Sequence, residues 1–134
     1  MTDLNVTVST TSSLQLTDDL AAAVAVAPRV TLEGMKAKIA GQYFFTGSTA
    51  LQGVPYHPSL AILTICILVM ENGFTIIGKS APADAANYNE ELGHQFAYED
   101  AIRQLWPLEG YALREQLEAE RRSVPQPVSE RRDV

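Results

Sequence analysis

The apolar positions of the chain follow three patterns, and each predicts a different element. Leu32, Met35 and Ile39 recur at helical spacing behind Thr31, with Lys36 and Lys38 turned outward. This predicts a short helix capped by Thr31 and ended by Gly41. Residues 42–46 (QYFFT) are few and aromatic, which predicts an extended segment, and Gly47, Gly53, Pro55 and Pro58 then break the chain into a loop. Residues 60–70 are apolar on both faces, are β-branched at Ile62, Ile65, Ile67 and Val69, and lead into Asn72-Gly73 before the FTIIG run that ends at Gly78. Asn-Gly between two such runs predicts a β-hairpin over 60–81, closed by a type I′ turn with positive φ at both central residues.

The third pattern lies between 88 and 106. Asn87 with Glu90 three residues on fits a variant capping box, so a main helix is expected from about Tyr88. Trp106-Pro107 marks its end or a bend, because the residue before proline is driven out of the α region, and 108–122 resume as a charged helical piece. At helical angles Tyr88, Leu92, Phe96, Tyr98, Ile102, Leu105 and Trp106 form one apolar arc, crossed by the polar row Glu91, Gln95, Glu99 and Arg103. Buried charge without partners costs several kcal/mol, so the row must pair, face water, or meet a ligand or subunit. One reading is an i,i+4 ladder in which Glu99 pairs with Arg103; the other is the floor of a polar pocket.

Together these elements predict an α+β fold with a short N-terminal helix, a small antiparallel sheet built on the hairpin, and a long C-terminal helix bent at Trp106-Pro107. Residues 1–28 carry Thr and Ser and an Ala/Val run without helical period, and read as a mobile arm; 123–134, with Pro125 and Pro127, read as a disordered tail. The single domain is then 29–122.

Composition narrows the function. Ten Lys+Arg against sixteen Asp+Glu give a net charge of −6 in 134 residues, which argues against general nucleic-acid binding. The apolar run 60–70 is too short to span a bilayer, so no membrane partner is expected. A single cysteine, Cys66, precludes an intramolecular disulfide and fits a reducing cytoplasm; with only His57 and His94 beside it, no metal or other cofactor is expected. Cys66 sits in the most apolar stretch, where a thiol behaves as a small inert hydrophobe. His57 reads as a loop residue, and Trp106 and Tyr111 as core plugs around the proline bend.

Residues 73–80 (GFTIIGKS) literally satisfy the phosphate-loop pattern, but that mechanism needs a flexible loop opening a helix, whereas 74–77 read as a β-branched strand. Lys79 and Ser80 remain candidate phosphate contacts as isolated groups. Arg103 is the strongest anion candidate, because its planar fork engages phosphate bidentately while Glu99 holds it; His94 and Tyr98 lie at the rim, placed to stack on or hydrogen-bond a base.

Residues 71–81 (ENGFTIIGKSA), 87–93 (NYNEELG) and 106–111 (WPLEGY) resemble a family of small tailed-phage accessory proteins. In that family an E-N-G-F-T-x-x-G-x-S-A strand pair leads into A-N-F-D-x-E-L-G and then W-P-L-E-G-Y, and the similarity covers about 30–117. Relatives tend to carry basic residues where this chain has His94 and Gln95, which implies a weaker anion contact there. The resemblance implies an accessory protein acting in the host cytoplasm against host defence. Three functions compete: a non-catalytic homo-oligomeric sponge for a nucleotide-derived immune signal, an acidic inhibitor that binds a host defence protein, and a phosphodiester hydrolase, for which the residues supply no convincing catalytic set.

Overall fold

A computed structural model of the protein describes residues 12–125. The chain runs through α1 (Ser13–Val24), α2 (Leu32–Ala37), β1 (Ile39–Thr46), a single turn α3 (Gly47–Ala50) and β2 (Thr64–Met70). It continues through β3 (Thr75–Ser80) into α4 (Glu90–Ser123), with 3₁₀ turns at Pro58–Ile62 and Ala85–Asn87. The strands form one antiparallel sheet in the order β1-β2-β3, giving the expected α+β class with a long C-terminal helix.

The alternation in β2 sets the layers. Thr64, Cys66, Leu68 and Met70 are buried, while Ile65, Ile67 and Val69 between them are half-buried on the other face. Across the strands Tyr43, Ile67 and Ile77 align, as do Phe45, Ile65 and Lys79, so the outer face carries six large apolar side chains and one charge. Among the described residues no helix packs over that face, and Tyr43 and Ile77 remain more than half exposed. The inner face packs against α4, and its core joins Leu68, Met35, Ile102 and Leu105, each fully buried and stabilising by about 1.5–3 kcal/mol.

The helix meets the sheet through its small residues. Gly93, Ala97, Ala101 and Leu105, four residues apart, are buried, and Ala97 and Ala101 lie directly on Gly78 of β3. A Cβ at Gly78 would fall 2.6 Å from the Ala101 nitrogen, so only glycine permits this approach. The apolar arc expected from the large side chains is therefore turned away from the real contact: Leu92 and Phe96 are exposed, while Ile102, Leu105 and, in part, Tyr98 and Trp106 pack on the core. Tyr111, expected as a core plug, is 68% exposed.

Three boundaries also differ from expectation. Pro58 opens the 3₁₀ turn, with the His57 Nδ1 accepting from the Ser59 N–H at 3.1 Å, so β2 starts at Thr64 and not at 60. The hairpin turn is not type I′: among the described residues no non-glycine residue has positive φ, and only Gly73 (φ +88°) in this loop does. Gly73 N–H donates to the Met70 carbonyl and Met70 N–H to the Phe74 carbonyl, both at 2.8 Å, which is a three-residue loop with glycine in the left-handed position. Asn89, not Asn87, caps α4, its side chain accepting from the Leu92 N–H at 2.9 Å. The helix then runs on through Pro107 to Ser123, losing only the hydrogen bond that residue 107 would have donated to the Arg103 carbonyl. Likewise α2 ends at Ala37 and Gly41 lies inside β1.

Residues 13–24, assigned above to a mobile arm, form α1. Leu16, Leu20 and Val24 recur every fourth residue as one helix row but are exposed, and Leu14 is the buried side chain. Asp18 pins the helix to the start of α2: its carboxylate accepts from Arg29 at 2.9 Å and from the Leu32 N–H at 3.1 Å. The Arg29 hydrogen bond holds the Asp18 carboxyl below its ordinary pKa. Of the expected tail, 123–125 are described and Ser123 closes α4; 126–134, like 1–11, lie outside the described residues.

Candidate functional site

Strand β3 is the sheet edge nearest α4, and the helix satisfies that edge with side chains. Asp100 Oδ2 accepts from the Lys79 N–H at 2.9 Å, and Gln104 Nε2 donates to the Ile77 carbonyl at 2.7 Å. This latch holds the end of β3 beside the third and fourth turns of α4, and the start of α1 closes the third side. Between them lies a groove of about 520 Å³, within the size range of small-molecule sites.

Four of the six expected site residues, Lys79, Ser80, Glu99 and Arg103, line this one groove. Gln95 Nε2 donates to Glu99 Oε2 at 3.3 Å, and Glu99 Oε1 lies 3.9 Å from Arg103 Nη2, so the polar row is a ladder and a groove wall at once. Glu99 is buried while the Arg103 side chain is half exposed, which leaves the guanidinium to present its donors outward. Arg103 Nη2 also donates to Ser13 Oγ at 3.1 Å. Glu91, the first member of the row, is exposed and outside the groove.

The other two candidates point elsewhere. His94 stacks on Phe44 of β1, ring centroids 4.5 Å apart and 16° between planes, with Glu90 at 3.9 Å. Tyr98 is half-buried against the core, and burial, with Cys66 beside it, raises its hydroxyl pKa. Neither is part of the groove, because both lie on the β1 side of α4. Ser12, Ser13 and Asp100, which the sequence did not single out, and Phe96, expected only in the apolar arc, complete the lining. Ser12 caps α1, accepting from the Gln15 N–H at 3.1 Å, so the positive end of that helix faces the groove.

The groove carries two cations, Lys79 and Arg103, and two carboxylates, Glu99 and Asp100. Both carboxylates are held by protein partners, Asp100 by the sheet edge and Gln104 and Glu99 by Gln95 and Arg103. The two cations and two carboxylates balance in formal charge, and the exposed Lys79, the half-exposed Arg103 and the α1 terminus are the groups that present donors at the mouth. Lys79 and Ser80 sit in strand, not in a phosphate-cradling loop, and a non-helical stretch separates them from α4. No group of three or more His, Cys, Asp or Glu side chains among the described residues is placed to hold a metal.

Residues 30–117 match the model of the Phage protein (N4 Gp49/phage Sf6 gene 66) family. The chain belongs to this family. No curated protein and no solved structure matches it. The family segment includes the whole hairpin and the groove-lining turns of α4, so Lys79, Ser80, Glu99 and Arg103 all lie in the family's common part. The α1 wall, with Ser12 and Ser13, lies outside it.

Proposed function

We propose that the protein is a phage accessory factor that binds and retains a small anionic, nucleotide-like molecule without turning it over, and so withholds a host defence signal in the host cytoplasm. The observation that carries this reading is the convergence of Lys79, Ser80, Arg103 and the α1 N-terminus on one groove. Each is a donor suited to phosphate oxygens, and sequestration needs complementarity without an activated nucleophile. The net charge of −6 disfavours long nucleic acid, but a short anion can be met locally by the donors of Lys79, Arg103 and the α1 terminus.

The test is isothermal titration against a panel of cyclic nucleotides and ADP-ribose derivatives, followed by mass spectrometry of the recovered ligand. The expected result is binding by the wild type, recovery of intact ligand, and at least a tenfold loss in Arg103→Ala with the fold retained and only a modest fall in melting temperature from the lost Glu99 and Ser13 contacts, since a charge-assisted contact contributes about 1.5–3 kcal/mol. A second reading, an acidic inhibitor of a host defence protein, draws on the uncovered apolar sheet face around Tyr43, Ile67 and Ile77. The same face would serve self-association into a homo-oligomer. Absence of heat with every member of the panel, together with a host protein co-purifying with the wild type and lost in Tyr43→Lys, would favour the inhibitor.

A further inference from the structure

Beside the charged groove, at the start of α4, lies a smaller recess of about 180 Å³ that has a different chemistry. Tyr88, Leu92 and Phe96 form its apolar walls, and Asn87 and Asn89 bring carboxamides to it. Its lining contains no Asp, Glu, Lys or Arg, whereas the groove next door contains four such residues. Ser80 and Phe96 line both, so the two spaces adjoin.

Two features of the recess are unexplained by folding. Leu92 and Phe96 leave 40% and 49% of their surface exposed, while Gly93 and Ala97 beside them are buried against the sheet. Thr64, which also lines the recess, has a buried hydroxyl with no hydrogen-bond partner among the described residues. An exposed phenylalanine over a wall of apolar carbons is a stacking surface for a planar ring. The Asn89 carbonyl oxygen is taken by the Leu92 N–H, which leaves its NH2 as a donor, and Asn87 offers both a donor and an acceptor. A carboxamide matches the adjacent acceptor and donor on the edge of adenine.

We propose that this recess is a nucleobase subsite: a purine ring stacks on Phe96 and is read by Asn87 and Asn89, while its phosphates reach across Ser80 to Lys79 and Arg103. This assignment rests on the anion-binding reading of the groove. It adds to that reading a ligand class, a purine nucleotide as opposed to a simple phosphate, and a division of labour in which the groove supplies charge and the recess supplies selectivity.

Titration with pyrophosphate, adenosine and adenosine diphosphate separates the two claims. For the wild type, adenosine diphosphate is expected to bind roughly tenfold or more tighter than pyrophosphate, the gain that stacking on one aromatic gives. In Asn87→Ala that gain shrinks while pyrophosphate binding is unchanged, and in Phe96→Ala adenosine diphosphate loses more affinity than pyrophosphate does. Adenosine alone, at millimolar concentration, is expected to shift the ring resonances of Tyr88 and Phe96 in an NMR titration, a readout that needs no phosphate contact. Equal affinity for pyrophosphate and adenosine diphosphate, with no ring shift from adenosine, overturns the base subsite and leaves the charged groove standing. Ring shifts with no pyrophosphate binding support the recess and remove the groove. Silence from all three probes overturns both.

Discussion

Replacing Gly78 with alanine is expected to destabilise the protein severely, although the change adds one methyl group to a strand. The added carbon would lie 2.6 Å from the Ala101 nitrogen and 2.9 Å from the Ala101 Cβ, with the Ala97 carbonyl oxygen also in its path. Two of these three atoms are helix backbone, so no rotamer change relieves the clash and α4 must move off the sheet as a unit. Overpacking costs about 1–3 kcal/mol, and a backbone clash belongs at the top of that range. With an unfolding entropy of about 2.1 cal/mol/K per residue, roughly 110 ordered residues convert about 3 kcal/mol into a fall of roughly 13 °C in Tm. Circular dichroism melting of Gly78→Ala measures this, with Gly110→Ala as the control. Gly110 lies inside α4 with nothing within 4 Å of a built Cβ, so alanine there is expected to stabilise by about 0.5–1 kcal/mol. A Gly78→Ala protein melting within about 3 °C of wild type would refute the close helix-to-strand contact.

Gly73→Val is expected to cost more than about 1 kcal/mol, because a β-branched residue resists the φ of +88° that closes the hairpin; an unchanged melting curve would remove that turn geometry. Leu14→Ala is expected to cost about 2 kcal/mol and to increase amide exchange across 13–24, whereas an unaltered denaturation midpoint would mean that α1 does not pack on the core. Burial pushes the Cys66 thiol up to about 11 from an ordinary 9.0. Below pH 9 the thiol is protonated in both states; as pH rises from about 9 to 11 it ionises in the unfolded chain first, so stability falls across that window. Cys66→Ala is expected to flatten this fall in a pH series of denaturation curves, and an identical slope in the variant would assign the loss to other groups.

The parts of the fold legible in the sequence are those governed by backbone chemistry. Thr31 as a cap, the β-branched strands and the Asn72-Gly73 reversal all appear where their residue types require. The orientation of α4 was not legible, because an apolar arc weighs Leu and Phe while the true contact is set by what Gly78 admits, and that is alanine and glycine. The four groove residues come together because the end of β3 is latched to the turn of α4 that bears Glu99, Asp100 and Arg103. Ser12 and Ser13 left no such signal. The helix they begin buries only Leu14 and is tied down by Asp18 and by the Ser13–Arg103 contact, and its one regular apolar row, Leu16, Leu20 and Val24, is exposed, so its pattern points to no core.

The latch on β3 also decides how the sheet can be extended. Asp100 and Gln104 already occupy the Lys79 N–H and the Ile77 carbonyl, so an incoming strand finds part of that border taken. The opposite border is β1, whose eight residues include neither a charge nor a proline, and no strand lies beyond it among the described residues. Each copy therefore offers strand addition one open side and one partly occupied side. Two copies joined edge to edge would use up both open sides, so pairing of this kind favours a dimer over a filament.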